Sequence, residues 1–157
     1  MTAPTVFIGI DPGTKTGWAV LDATGSSRGS GTWKLERRAG DGAGMIFVRF
    51  ERLFRELLDA FPNSTVTYEQ QLNRFAGSAI IGAGIMASIQ RVCEEVQRPY
   101  SGITFSTVKK HATGRGNCGK SEMVRAALDR WGPGAGGIGE DQADALWIAD
   151  AAREGLA

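Results

Sequence analysis

The sequence has little of what a disulfide-stabilised or zinc-thiolate protein requires. Its 157 residues include only two cysteines, Cys93 and Cys118, and a single histidine, His111. The cysteines have neither the spacing of zinc ligands nor a disulfide framework, so we predict that both are reduced thiols. Any bound metal should therefore be held by oxygen ligands.

Long apolar runs are also absent. No stretch approaches the length that crosses a bilayer, and residues 1–4 lead directly into a predicted strand without the basic and apolar regions of a signal peptide. We therefore expect a cytoplasmic protein with no membrane partner. The chain length suits one compact domain over residues 1–157.

An excess of charge of one sign is missing as well, because the formal net charge is only +1. The distribution is less even: basic residues outnumber acidic ones between Arg98 and Arg130. This segment is either a phosphate-binding surface or an ordinary solvated face. His111 lies within it and is predicted to contact phosphate, to act as an acid, or to do neither. The basic residues of the segment are Arg98, Lys109, Lys110, Arg115, Lys120, Arg125 and Arg130.

Apolar periodicity predicts a mixed α/β domain. Three strands come first as an antiparallel meander, and helices then alternate with two further strands, which predicts a mixed five-stranded sheet flanked by helices. Ser106 is predicted to cap the helix that ends near Gly114. The predicted strands are 6–11, 16–21, 31–35, 65–69 and 103–105; the predicted helices are 46–61, 78–96, 106–114, 121–131 and 140–154.

Carboxylates stand at two predicted strand ends. Asp11 closes the first strand and Glu69 the fourth, and both strands are candidates for adjacent central positions. A buried Asp is costly unless a backbone N–H, a basic side chain or a metal ion compensates its charge. Asp141 and Asp144 are three residues apart and so share one face of the last helix. The helix dipole alone would explain Asp141, whereas Asp144 lies deeper in the helix.

Four converging carboxylates would repel each other, and a hard divalent cation would remove that conflict. Carboxylate and water oxygens are the usual ligands of Mg²⁺ and Mn²⁺. A pair of such ions can activate water in phosphodiester hydrolysis. The residues thus predict metal-dependent chemistry on a phosphate ester.

Four segments, in this order, resemble the RuvC family of Holliday-junction resolvases in its smaller phage-encoded form: IGIDPGTKTGWAV, TYEQ, STVKKHATGRGNCGK and DQADALWIA. The resemblance implies a ribonuclease H-like fold and a dimer with two active sites that nick a four-way DNA junction symmetrically. It also implies two Mg²⁺ ions per site, replaceable by Mn²⁺, and products with 5'-phosphate and 3'-hydroxyl ends.

The same resemblance implies roles for particular residues. The acidic positions would be catalytic metal ligands, and basic positions would contact DNA, with Lys120 also close to the reacting phosphate. The family often has an aromatic residue shortly after EQ that stacks at the opened junction, whereas this chain has Leu72 there and Phe75 a turn later. Phe75 is therefore predicted to be either a wedge or a core residue. The implied metal ligands are Asp11, Glu69, Asp141 and Asp144; the implied DNA contacts are Lys109, Lys110, Arg115, Lys120, Leu72 and Phe75.

Two other functions stay open on sequence alone. DPGTKTG also resembles the phosphate loop of the actin and hexokinase superfamily, which would make the chain an ATP-binding module. A junction-binding protein without cleavage activity is the other alternative.

The predicted helix 78–96 suggests a protein partner. It is apolar nearly all round, and Ala79, Ala83 and Ala87 recur at helical spacing, as do Gly84 and Ser88, so that a second helix can approach closely. Packing on its own sheet would use one face. A two-fold homodimer would cover the other.

Overall fold

A five-stranded sheet forms the centre of the protein. The computed structural model describes residues 5–70, 76–132 and 137–157. The strands are β1 (Val6–Asp11), β2 (Lys15–Leu21), β3 (Ser27–Lys34), β4 (Ser64–Glu69) and β5 (Tyr100–Ile103). The helices are α1 (Met45–Ala60), α2 (Ala76–Glu95), α3 (Phe105–Thr113), α4 (Lys120–Trp131) and α5 (Glu140–Arg153).

The sheet is mixed, as predicted. Its strand order is β3-β2-β1-β4-β5, with β1, β2 and β3 paired antiparallel and β4 and β5 added in parallel. Helices α1 and α2 provide the crossover connections that parallel pairing needs. The predicted α/β class is confirmed, and β1 and β4 are adjacent central strands.

The two faces of the sheet carry different layers. Ile8, Ile10 and Val66 point to one face, where they form a buried core with α1 and α2. Because side chains alternate along a strand, Gly9 and Asp11 point to the other face, which α5 covers. Helices α3 and α4 pack against α5 in turn. The end of β1 is therefore enclosed by α5.

Glycines allow α5 to lie directly on the strands. A Cβ at Gly9 would stand 2.6 Å from the backbone nitrogen of Ala149, and one at Gly17 would overlap the carbonyl oxygen of Asp141. Helix α5 presents Ala145 and Ala149 to this surface, and both are fully buried. Small residues on both sides therefore set how close the acidic first turn of α5 comes to the sheet.

Several predicted boundaries were wrong. Strand β3 begins at Ser27 rather than at residue 31, because the Asp22 carboxylate accepts the backbone N–H groups of Thr24 and Ser26 and makes the hairpin turn compact. Strand β5 is Tyr100–Ile103 rather than 103–105, since its parallel pairing with β4 begins earlier. The N-cap of α3 is Thr104, in extended conformation, so Ser106 lies inside the helix.

Helix α2 buries one face and leaves another open. Ile85 and Ile89 are fully buried, and the ring of Phe47 in α1 fills the space beside Gly84. Ile80 is 70% exposed. The space beside Gly84 is therefore filled by a side chain of the same protein molecule, and not by a second helix. Within the residues that the structure describes, no helix combines the length and apolar character needed to cross a membrane.

Candidate active site

Two carboxylates meet at the ends of the central parallel strands. Ile10 is paired with Tyr68 in the register of β1 and β4, so the next positions are Asp11 and Glu69. Both strand ends point to the α5 face, and the two carboxyl groups share a hydrogen bond. The sequence prediction that these side chains end adjacent strands is confirmed.

Helix α5 brings two more carboxylates to the same place. Asp144 is 7% exposed, and its charge and that of Asp141 both act on Asp11. The close packing over Gly17 holds this first turn against β2. A hydrogen bond from Gln142 Nε2 to Ser30 Oγ, 2.8 Å long, ties the same turn to β3. The structure thus gathers all four predicted acidic residues at one end of the sheet.

Burial and mutual repulsion favour protonated carboxyl groups here. Burial raises the pKa of Asp11 well above its ordinary value, and the hydrogen bond and negative charge of Glu69 raise it further. Burial is also the main reason that the pKa of Asp144 rises to about 7, with the charge of Glu69 second. The pKa of Asp141 is raised by burial, against the opposing charges of Lys120 and Lys15. Full ionisation of the cluster would therefore place more negative charge here than its surroundings compensate.

The donor chemistry of this cluster fits a hard divalent cation. Carboxylate oxygens are the ligands that Mg²⁺ and Mn²⁺ prefer, and a cation would relieve the repulsion that raises these pKa values. Among the described residues, however, no three His, Cys, Asp or Glu side chains already stand in a metal-holding arrangement. The four carboxylates thus lie near one another, but no three of them already surround a common metal position.

Lys120 lies beside the acidic cluster. It begins α4, its side chain is 68% exposed, and its Nζ is 3.5 Å from Glu140 Oε2. Its positive charge opposes the rise in the pKa of both Asp141 and Asp144. This exposed ammonium group, held only by a surface ion pair with Glu140, is accessible to a phosphate that enters from solvent.

The other predicted DNA contacts lie on α3 and in the loop after it. Lys109 Nζ stands 4.7 Å from the ring centre of Phe105, Lys110 is exposed, and Arg115 pairs with Glu122. Their contact with DNA stays a prediction. The predicted contacts at Leu72 and Phe75 fall outside the described residues.

His111 takes part in an internal network. Its Nε2 lies 2.8 Å from Oδ2 of Asp150, which is 1% exposed, and its ring packs edge-on against Trp147. Asp150 also accepts a hydrogen bond from Arg153 Nε at 2.9 Å and a longer one from Arg130 at 3.5 Å. Of the roles left open on sequence, this geometry favours a structural one that joins α3 to α5.

Sequence reasoning missed four contributors to the site. Gly9 and Gly17 were not singled out, although glycine inside a strand is a signal of close backbone approach. Lys15 was passed over within the DPGTK turn, yet its charge reaches Asp141. Ser30 gave no signal, because its contact with Gln142 joins positions 112 residues apart.

The strand order, the carboxylates at two central strand ends and the helix packed over them define a ribonuclease H-like fold. Two solved structures of Thermus thermophilus RuvC share it. One, in complex with a Holliday-junction substrate, is 22% identical over 96% of each chain with a TM-score of 0.79. The other is 23% identical over 96% of this chain and 97% of that one, with a TM-score of 0.77. The resemblance to RuvC is therefore confirmed at the level of the fold.

The likeness rests on the fold and on short motifs rather than on overall sequence similarity. No family model matches this chain, and no curated protein matches it by sequence.

Proposed function

We propose that this protein is a metal-dependent, structure-selective DNA endonuclease that resolves four-way junctions and related branched DNA. The observation that carries the proposal is the gathering of Asp11, Glu69, Asp141 and Asp144 beside Lys120 on one face of the sheet. The shared fold with a RuvC structure solved on a Holliday junction supports the choice of substrate.

In this proposal the four carboxylates hold two Mg²⁺ ions, which Mn²⁺ can replace. Bound divalent ions would lower the pKa of water and stabilise the charge of the leaving oxygen. The ends of β1 and β4 keep Asp11 and Glu69 in place, and the first turn of α5 lies beside them. Lys120 holds the scissile phosphate and offsets the negative charge that builds there during in-line attack. The products would be 5'-phosphate and 3'-hydroxyl ends.

A homodimer through α2 completes the proposal, because two symmetric nicks need two active sites. The open face of α2 carries Ile80, Ala83 and Ala87, all exposed and one helical turn apart. Small and apolar residues in such a row allow close helix contact and would be buried in a two-fold interface. At the other end of α2, Arg91 is already paired with Glu51 of α1 and Glu95. The dimer contact should therefore centre on the first half of the helix.

The first test compares a synthetic four-way junction with a matched linear duplex, each incubated with Mg²⁺, Mn²⁺, Ca²⁺ or EDTA. We expect paired symmetric nicks in the junction with Mg²⁺ or Mn²⁺, and none with EDTA. Asp11→Asn should abolish nicking while junction binding persists, because the carboxylate is lost without a change of size. Asp59→Asn, on the exposed surface of α1, is the matched control and should nick normally.

Two results would contradict the proposal. Tight junction binding without nicking under every metal would leave a junction-binding protein. Absence of junction binding together with saturable ATP binding would favour the phosphate-loop alternative, in which the DPGTKTG turn cradles a nucleotide.

A further inference from the structure

Two lysines lie opposite each other at the open end of the β2–β3 hairpin, away from its turn. Lys15 is the first residue of β2 and Lys34 is the last residue of β3, and the register pairs them directly. Directly opposed residues of an antiparallel pair point to the same face, with their Cβ atoms about 5 Å apart. Both lysines are exposed. They present two ammonium groups to solvent side by side.

This pair lies on the same face as the acidic cluster. Lys15 is two residues before Gly17, which lies against Asp141, and side chains two apart on a strand share a face. Lys34 is four residues after Ser30, whose hydroxyl contacts α5 through Gln142. The charge of Lys15 is close enough to Asp141 to oppose the rise of its pKa. The two lysines therefore lie on the α5 face of the sheet, and the charge of Lys15 lies near the first turn of α5.

Within the part of the chain that the structure describes, the ammonium groups of the pair are not tied to individual carboxylates. Among the described residues, neither Lys15 nor Lys34 forms a salt bridge, whereas Lys120 lies 3.5 Å from Glu140. Like charges directly opposed on a sheet are destabilising. An anion that spans both groups would turn this unfavourable contact into a favourable one.

We infer that Lys15 and Lys34 form a second phosphate-binding site, contributed by the sheet, for the DNA strand beside the acidic cluster. This inference rests on the proposed nuclease function and extends it: Lys120 serves the scissile phosphate from α4, and the lysine pair holds backbone phosphates next to it. Contacts of this kind position a strand without reading its sequence. The pair therefore binds substrate and takes no part in the bond-breaking step.

The test measures junction affinity as a function of salt for Lys15→Gln, Lys34→Gln and the double variant. Because each neutralised phosphate contributes about 0.9 to the slope of log K against log salt, the double variant should lose about 2 from that slope. Its dissociation constant should rise at least about tenfold at physiological salt. Arg52→Gln, exposed on α1 on the other face of the sheet, is the single-charge control and should change neither quantity. Nicking at subsaturating junction should fall in proportion to the lost affinity.

The possible outcomes separate this inference from the proposed function. If the wild type nicks but the double variant has an unchanged dissociation constant and salt slope, the lysine pair does not bind DNA and the nuclease proposal stands. If Lys15→Gln instead abolishes nicking at saturating DNA with unchanged affinity, Lys15 acts on the chemistry and the inference is wrong. If the wild type neither binds nor nicks the junction, both proposals fall together.

Discussion

Replacing Asp144 by asparagine should stabilise the metal-free protein. The pKa of Asp144 is raised from 3.8 to about 7, chiefly by burial. A shift of about 3 units at about 1.4 kcal/mol each makes the ionised carboxylate cost at most ~4 kcal/mol above pH 7. Asparagine removes the charge at nearly constant volume but leaves an amide to satisfy, so we expect a net gain of about 1–3 kcal/mol at pH 8.

The sign of the pH dependence follows from the raised pKa. Between about pH 4 and 7 folded Asp144 binds a proton that the unfolded chain has already lost, so this residue stabilises the wild type increasingly as the pH falls. The advantage of Asp144→Asn should therefore shrink by up to about 1.4 kcal/mol per unit from pH 7 to pH 5. Urea unfolding in EDTA at pH 5, 6, 7 and 8 measures it, with Asp59→Asn as the control.

Magnesium should reduce the stability advantage of Asp144→Asn if Asp144 is a ligand. At about ten times its dissociation constant, a bound cation adds about 1.4 kcal/mol to the free energy of unfolding of the wild type. Asp144→Asn should gain much less. A variant that is less stable than the wild type in EDTA at pH 8, or whose advantage does not change with pH, would refute the reasoning.

Three further predictions follow from the packing. Gly17→Ala should force α5 away from β2 and lower the nicking rate by about 100-fold, because misplacing reacting groups by about 1 Å has an effect of that size. The control is Gly42→Ala, where an added Cβ meets nothing within 4 Å, and it should nick normally in the same gel assay. Asp150→Ala should lower the free energy of unfolding by about 1–3 kcal/mol, because the buried Asp150 carboxylate holds His111 and Arg153, while nicking persists below the melting temperature. Ala83→Glu should convert the proposed dimer to a monomer by light scattering and replace paired nicks by single ones; an unchanged mass would exclude this face of α2.

The order of elements was predictable because it rests on local patterns. A continuous apolar run identified β1, alternation with β-branched residues identified β4, and helical spacing identified α1. Strand ends could be located in the same way, so Asp11 and Glu69 were recognised as a pair before the sheet was known. Boundaries that depend on partners were less predictable: β3 and β5 begin earlier than predicted because pairing with β2 and β4 extends them.

The sequence alone determined which residue types the site would contain: carboxylates at two strand ends and on one helix face, and a basic segment to meet phosphate. Tertiary structure decided what those residues experience. The burial that raises the pKa of Asp144, the approach of α5 over Gly9 and Gly17, and the pairing of Lys15 with Lys34 all join segments far apart in the chain. Local periodicity shows which face of a helix or strand is apolar. It does not show which element packs against that face, in which register or at what distance, because these depend on the assembled core.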